Sequence, residues 1–221
     1  MPNESISPLP TSTAGGPGPT VVPRWEWRCI ERALPFDRAR LSITPGDAKA
    51  SGETYLLSAL TPHNIKVRGA MLEIKRLQER AADGLEQWRP TARSAFPLDA
   101  ATRVELWDAW GIPAPADVPV VASLADLVRD VVSPHSDLRS VDLVKRRHRV
   151  TLAGCSGELV ELEIPGGHWV SVAFEDADPA LVRGAVAAVA MDVRTNLNYP
   201  AALKRIVGLP DRVVPEQEGV R

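Results

Sequence analysis

Cysteine is scarce in this sequence, since Cys29 and Cys155 are the two that occur among 221 residues. They stand far apart and form no CxxC pair, so neither a zinc knuckle nor a disulfide framework is predicted. Long apolar runs are missing as well: no stretch of about 18 apolar residues is available to cross a bilayer. The first twenty residues lack the basic start and the apolar core of a signal peptide. We therefore expect a cytoplasmic protein with no membrane partner.

An excess of charge of one sign is also absent. The chain has 26 Lys and Arg against 28 Asp and Glu, which gives a net charge of -2. The two basic runs, KRLQER and VKRRHR, lie on predicted strands, so we do not expect a nucleic-acid partner. Any electrostatic function must depend on how charge is sorted locally.

Several familiar catalytic motifs do not occur. The glycine-rich stretch AGGPGPT lacks the lysine of a phosphate-binding P-loop, and neither GxSxG nor HExxH is present. The four histidines have no metal-like spacing, and neither cysteine has a basic partner nearby in sequence. The sequence therefore offers no signal for these hydrolase classes or for a nucleophilic cysteine.

What the sequence does contain is alternation of polar and apolar residues with period two, which predicts β-strands. Eight segments show it: 21–30, 53–59, 64–68, 71–77, 85–93, 140–152, 158–164 and 169–175. Helical signals mark four others: 98–112, 123–133, 178–196 and 199–208, with Asp99, Ser123 and Asp178 as candidate N-caps of the first three. Pro23 and Pro90 suit central strands poorly, so we expect those two strands to begin or to bulge at the proline.

This order of elements predicts one antiparallel α+β domain. It covers residues 21–209, and we expect the four amphipathic helices to cover the sheet from outside. Residues 1–20 are rich in Pro, Gly, Ser and Thr, and 210–221 are similar, so both are predicted to be disordered tails.

Sorting each strand by parity places charge of both signs on one face of the sheet. Adjacent antiparallel strands bring same-face residues into contact. The shared face carries about eight cations: Arg24, Arg28, Lys66, Arg68, Lys75, Lys145, Arg147 and Arg149. It also carries about five carboxylates: Glu26, Glu73, Glu161, Glu163 and Glu175.

Two interpretations of this face are open. A solvent-exposed sheet face carries charge of both signs for solubility alone. Alternatively, if the sheet closes with helices outside, the charged face becomes the lumen of a barrel. Like charges two residues apart on one strand repel one another, so their clustering on single strands favours a binding site in the lumen over a merely solvent-exposed face. A lumen that holds many cations requires a polyanion or compensating carboxylates. Carboxylates among cations also suit Mg²⁺-assisted binding of a polyphosphate.

In chain order, these strands resemble the CYTH group, the triphosphate tunnel metalloenzymes. That group includes class IV adenylyl cyclases, thiamine triphosphatases and inorganic triphosphatases. The resemblance covers roughly residues 22–208 and rests on these pieces: EWR, ETYLLS, NIKVR, LEIKRL, VKRRHRV, ELVELEI, VAFE and NYPAALKRI. It implies a closed antiparallel β-barrel of about eight strands, with flanking helices and a charged tunnel.

The resemblance also implies roles for individual residues. The phosphate-binding cations would be Arg28, Lys66, Arg68, Lys75, Lys145 and Arg147. Mg²⁺ or Mn²⁺ would be held by Glu26, Glu161, Glu163 and Glu175. Glu26 and Glu73 are the candidates for a catalytic role.

The sequence departs from the family pattern at four positions, one of which is Ser58, near a place where an acidic residue often stands. Arg24 stands where the first glutamate of the Glu-x-Glu-x-Lys strand usually lies, and Arg28 replaces the lysine. Ala173 occupies a second position that is usually acidic. The carboxylates are therefore thinned while the cations are kept.

We expect metal-dependent hydrolysis of a triphosphate, inorganic or at the end of a small organic molecule, inside this tunnel. The alternative is a non-catalytic module that binds polyphosphate, a nucleotide or another small phosphorylated anion. A cyclase would need a base-recognition pocket, for which the sequence gives no signal. Metal dependence separates the enzyme from the binding module.

Overall fold

The structure, a computed structural model, describes residues 22–44, 49–116 and 119–212. The predicted tail at 1–20 lies outside the described residues, as do residues 213–221 of the other. Residues 210–212 are described and contact the domain, because the backbone N–H of Arg212 donates to the carbonyl of Ala59 at 2.7 Å.

An antiparallel sheet dominates the described residues. Its nine strands are β1 (Arg24–Glu31), β2 (Ser42–Ile43), β3 (Lys49–Ser58), β4 (Asn64–Arg68), β5 (Met71–Arg80), β6 (Glu86–Ala95), β7 (Leu138–Leu152), β8 (Cys155–Ile164) and β9 (Gly167–Asp176). Eight of them run in the order β7-β3-β4-β5-β6-β1-β9-β8, and β8 pairs again with β7. The sheet is therefore a closed barrel, which confirms the predicted α+β class, and β2 pairs with β7 outside it.

Turn residues and prolines mark where the strands meet, begin or become irregular. β4 and β5 meet at Gly69 and Ala70, which both have positive φ, at 54° and 64°. Such a turn matches the right-handed twist of a hairpin. Pro90 lies at a register shift between β5 and β6, and Pro23 directly precedes β1. The two expectations about these prolines are confirmed.

Four α-helices occur in the described residues, at α1 (Ala100–Trp110), α2 (Leu124–Leu127), α3 (Pro179–Ala188) and α4 (Tyr199–Val207). A π-helical turn, Val128–Val132, continues α2. The side chains of Asp99, Ser123, Asp178 and Asn198 accept N-cap hydrogen bonds. The prediction of one helix over 178–196 was too long, because the chain reverses at Ala190, whose φ is 58°.

The apolar outer face of the barrel is covered by helices on two sides. Leu56, Ile65 and Leu72 of β3, β4 and β5 pack in one cluster with residues of α1 and of α2 and its continuation. Trp27, Val172 and Phe174 of β1 and β9 pack in a second cluster with Val182, Ala185 and Val186 of α3. No helix among the described residues has the length and apolar composition that crossing a bilayer requires.

The inner face of the barrel is divided into an apolar half and a charged half. Apolar inner residues, Leu57, Val141, Val160 and Leu162 among them, form a third cluster with Tyr199, Ala202 and Leu203 of α4. The expectation that all four helices lie outside is therefore wrong for α4, which packs against the inner face at one end. The charged half lies toward the other end: on β7, for example, Lys145 and Arg147 line the cavity and follow the apolar inner residues Val141 and Leu143.

Candidate functional site

A cavity of about 810 Å³ occupies the charged half of the barrel. Cations from four strands line it: Arg24, Arg28, Lys66, Arg68, Lys75, Lys145, Arg147 and Arg149. Four carboxylates line it as well: Glu26, Glu73, Glu158 and Glu175. A fifth carboxylate, Glu53, contacts the lining cations. These cavity groups, with Glu53, thus carry a formal excess of three positive charges in a chain whose net charge is -2.

Glu53 lies at the centre of this charge network. Its side chain is fully buried, and its Oε2 lies 3.0 Å from Lys145 Nζ and 3.5 Å from Lys66 Nζ. Its Oε1 accepts a hydrogen bond from Arg147 Nη2. Burial opposes ionisation of this carboxyl, but the Lys145, Lys66 and Arg147 charges outweigh it and lower the pKa of Glu53 to about 2. Glu53 is therefore ionised at neutral pH.

Glu158 joins the two arginines of the network. Its oxygens lie 3.0 Å from Arg28 Nη1 and 3.5 Å from Arg147 Nε. Arg28 also donates to Ser171 Oγ at 2.9 Å and to Glu26 Oε1 at 2.9 Å. Burial raises the pKa of Glu158 less than the neighbouring cations lower it, and the net direction is downward.

Two tyrosines form the floor of the cavity beneath Lys145. The Lys145 ammonium donates to the Tyr55 hydroxyl at 2.7 Å and lies 3.5 Å from the centre of the Tyr199 ring. The Arg28 guanidinium lies over the same ring, at 4.4 Å. Burial lowers the pKa of Lys145 well below the usual value, although the Glu53 carboxylate opposes this shift.

The β4–β5 wall adds a second group of charges. Glu73 lies 3.6 Å from Lys66 and 2.9 Å from Arg68, each measured between a carboxylate oxygen and a side-chain nitrogen. Lys75 lines the cavity on the same wall, opposite Asn64 in register. It has no ion pair with any residue in the described ranges. Lys75 therefore has a charge available for an incoming anion.

The open end of the cavity carries a pair of carboxylates. Glu26 on β1 is directly opposite Glu175 on β9, and both line the cavity. Arg24 lies beside them, with its Nε 3.7 Å from Glu175 Oε1. Two of the four predicted metal ligands are thus brought together.

The other two predicted metal ligands, Glu161 and Glu163, lie on the outer face of β8, and their assignment to the charged inner face is corrected. Pairing of β7 with β8 places Arg146 opposite Glu161. Because the inward lysine of β7, Lys145, is opposite Leu162, the even-numbered residues of β8 face inward. Glu161 contacts Arg38 and Arg146 outside the barrel, at 3.8 Å each.

Two inner carboxylates were missed by the sequence analysis, Glu53 and Glu158. Glu53 shares its parity with Tyr55 in ETYLLS, which is a usable signal once that strand is known to turn this face inward. Glu158 has no comparable signal, because ELVELEI carries apolar residues at both parities and buries both Leu159 and Val160.

A metal ion fits this site in one form of coordination, in which a substrate and water supply most of the ligands. Across residues 22–44, 49–116 and 119–212, no three His, Cys, Asp or Glu side chains are grouped to hold a metal. A cage made by the described protein groups alone is therefore not present. Mg²⁺ is commonly bound by one or two carboxylates together with substrate phosphates and water. The Glu26–Glu175 pair provides the carboxylates for that form.

Comparisons with known proteins give similarity in structure alone. No family model matches the sequence, and no curated protein matches it. A proposed adenylate cyclase from Bacillus halodurans has 14% identity and a TM-score of 0.39, with 87% of this chain and 94% of that one covered. A proposed adenylyl cyclase from Hippeastrum with a dominant triphosphatase activity has 13% identity and a TM-score of 0.37, over 88% and 92%. A conserved hypothetical protein from Pyrococcus furiosus has 12% identity and a TM-score of 0.40, over 80% and 99%.

Proposed function

We propose that this chain is a triphosphate tunnel protein that hydrolyses a triphosphate, inorganic or carried by a small organic molecule, with the help of Mg²⁺ or Mn²⁺. The observation that carries the proposal is the excess of cations on the inner face of a closed barrel. Guanidinium and ammonium groups are the strong hydrogen-bond donors for phosphate oxygens. A cavity of about 810 Å³ also has the size of a small-molecule site.

The roles proposed for the cavity residues follow from their charge. Lys66, Arg68, Lys75, Lys145, Arg147 and Arg28 would bind phosphate oxygens and neutralise the charge that develops in phosphoryl transfer. Glu26 and Glu175 would hold the divalent ion, which when bound screens the phosphates and acts as a Lewis acid. Glu26 and Glu73 are the two candidates for a catalytic role, and Glu73, on β5, is the one for positioning a water molecule if Glu26 holds the metal.

A non-catalytic binding module is the second candidate, and one observation favours it. Each cavity carboxylate already has a cation of the protein within 4 Å, including Arg28 for Glu26 and Arg24 for Glu175. A carboxylate engaged in this way is a weaker metal ligand. Such a cavity would hold a small phosphorylated anion without a metal.

The decisive experiment is phosphate release from inorganic triphosphate, ATP and thiamine triphosphate, with Mg²⁺, with Mn²⁺ and with chelator. We expect release that needs a metal and falls at least about tenfold in Lys75→Gln, because a hydrogen bond to a charged group contributes about 1.5–3 kcal/mol. Glu175→Gln should lose the metal-dependent release, because one of the two proposed metal ligands is removed. The exterior variant Arg129→Gln, whose partners Asp126 and Asp130 lie on the helical segment α2 and its continuation, should behave as wild type.

Calorimetric binding of inorganic triphosphate in chelator separates the two candidates. Binding that survives chelator and weakens in Lys75→Gln, with no release under any condition, would establish the binding module. Neither release nor binding would refute both, and the charged inner face would then be explained by its internal ion pairs.

A further inference from the structure

We propose that Glu53 is a positioning residue, whose buried carboxylate holds Lys145, Lys66 and Arg147 together and keeps Lys145 charged for the anion that enters the cavity. No other residue reaches all three of these cations in the described part of the chain. The identity of the anion rests on the proposed function, whereas the effect of Glu53 on Lys145 does not.

The position of Glu53 in the sheet explains its reach. β3 pairs with β4 on one side and with β7 on the other, so an inward side chain on β3 lies between the cations of both neighbours. Lys66 and Arg68 come from β4, and Lys145 and Arg147 come from β7. The Arg68 Nη1 is the most distant of the four, at 3.9 Å from Glu53 Oε1.

Lys145 depends most on this carboxylate. Its side chain is 1% exposed, and burial favours the neutral amine of a lysine. Its ammonium has one carboxylate within 4 Å among the described residues, which is Glu53. Glu158 faces the same region, but its oxygens contact Arg28 and Arg147 instead.

The other groups that face Lys145 do not replace Glu53. They comprise three cations, which disfavour a further positive charge, one distant carboxylate and two phenols: Lys66, Arg28, Arg147, Glu158, Tyr55 and Tyr199. The Tyr55 oxygen accepts one hydrogen bond, and the Tyr199 ring offers its face. Without Glu53, we therefore expect Lys145 to lose its proton at a lower pH.

A lysine titration followed by NMR tests this in the ligand-free protein. The chain has five lysines, so isotope-labelled lysine gives few signals, and Lys145→Arg identifies the one of interest. In Glu53→Gln, we expect the midpoint of Lys145 to fall by about one pH unit or more relative to wild type. Glu53→Asp, which keeps the charge, should restore part of the shift.

Glu73→Gln is the matched control, because Glu73 contacts Lys66 and Arg68 but not Lys145. It should leave the Lys145 midpoint in place. The same midpoint in Glu53→Gln and wild type would overturn the proposal. Should Glu53→Gln fail to fold, the double variant Glu53→Gln/Arg147→Gln removes one of the three stranded cations, and its Lys145 midpoint is expected to fall relative to that of Arg147→Gln alone.

Calorimetry of inorganic triphosphate in chelator, in two buffers of different ionisation enthalpy, tests the link to the anion. At a pH midway between the two Lys145 midpoints, we expect Glu53→Gln to take up more protons per triphosphate bound than wild type does, by about half a proton for a shift of one unit and more for a larger shift, because binding recharges Lys145. Protons taken up by the ligand itself cancel in this difference. Equal proton uptake in Glu53→Gln and wild type would overturn the link between Glu53 and the bound anion. A wild-type protein that binds no triphosphate overturns the proposed function, and the lysine titration then decides the role of Glu53 alone.

Discussion

The charges inside the barrel are arranged as shared contacts rather than as isolated pairs. Glu53 contacts three cations within 3.5 Å and Glu158 contacts two. Removing one member of such a network leaves the others buried without a partner, which costs far more than the net worth of one pair. The network therefore fixes the positions of the cations before any ligand arrives.

The low pKa of Glu53 makes stability depend on acid pH. Its pKa is about 2 in the folded protein against an ordinary value of 4.5, so its contribution is complete above pH 4.5 and is lost as the pH falls toward 2. Urea unfolding of wild type and Glu53→Gln should show a difference in unfolding free energy that shrinks by about 3 kcal/mol over this range. A difference that stays constant between about pH 7 and about pH 2 would contradict this prediction.

We expect Arg24 to decide how well the open end of the cavity can hold the proposed metal ion. Arg24→Glu would place a third carboxylate beside Glu26 and Glu175, and more charged oxygen ligands strengthen binding of a hard cation. We expect Mn²⁺ to bind on the order of tenfold more tightly, measured by calorimetry. Arg24→Gln is the control, since it removes the cation without adding a ligand. Equal Mn²⁺ affinity in the two variants would show that this position lies outside the metal site.

At the scale of elements, the four helices differ in what they cover. α1, α2 and α3 pack on the outer face of the barrel, whereas α4 packs on the apolar half of the inner face. The N-cap of α4 connects it to the sheet, because Asn198 Nδ2 donates to both oxygens of Glu86 on β6, each at 3.0 Å. α4 thereby supplies both the closed end of the barrel and, through Tyr199, part of the cavity floor.

A large-to-small change in α4 should therefore destabilise the whole domain. Leu203 is fully buried, and Leu203→Ala is expected to lower the free energy of unfolding by about 2–5 kcal/mol. Val104→Ala on α1 is the control, because Val104 is 58% exposed and should change stability by no more than about 0.5 kcal/mol. Urea unfolding measures both. Similar losses in the two variants would show that α4 does not close the barrel.

At the scale of the whole molecule, charge of opposite sign is separated between the inner face and the rest of the chain. The chain carries -2 overall, whereas the cavity lining together with Glu53 carries a formal excess of three positive charges. We therefore expect an anion to be attracted to one opening rather than to the protein surface in general. Since the other half of the lumen is filled by α4, we expect entry at the end that holds Arg24 and Glu175.

This arrangement predicts that triphosphate binding depends on ionic strength. Raising salt from roughly 0.01 M to roughly 1 M shortens the Debye length from about 30 Å to about 3 Å. We expect the association rate of inorganic triphosphate, measured by stopped flow, to fall by about tenfold or more. The exterior variant Arg129→Gln should show the same slope as wild type. A rate that does not change with salt would exclude electrostatic attraction into the cavity.

Local patterns were sufficient for most of the elements. Period-two alternation located eight strands, and Asp99 and Ser123 were identified as N-caps because their side chains precede amphipathic segments. β2 was missed because two residues are too few for a pattern. The overlong helix prediction over 178–196 failed because apolar residues continue past the end of α3, where Val189, Met191 and Val193 pack against the same cluster from a reversed chain.

The sequence by itself determined which side chains share a face of each strand, because alternate residues of a strand point to opposite sides. This was enough to group Arg24, Glu26 and Arg28, and to bring the six phosphate-binding candidates together. Only the tertiary structure decided which face of each strand turns inward. In β8 both parities are partly apolar, so pairing with β7 chose Glu158 over Glu161 and Glu163. The tertiary structure likewise placed α4 inside the barrel and Glu53 between two strands of cations, because these contacts join residues far apart in the chain.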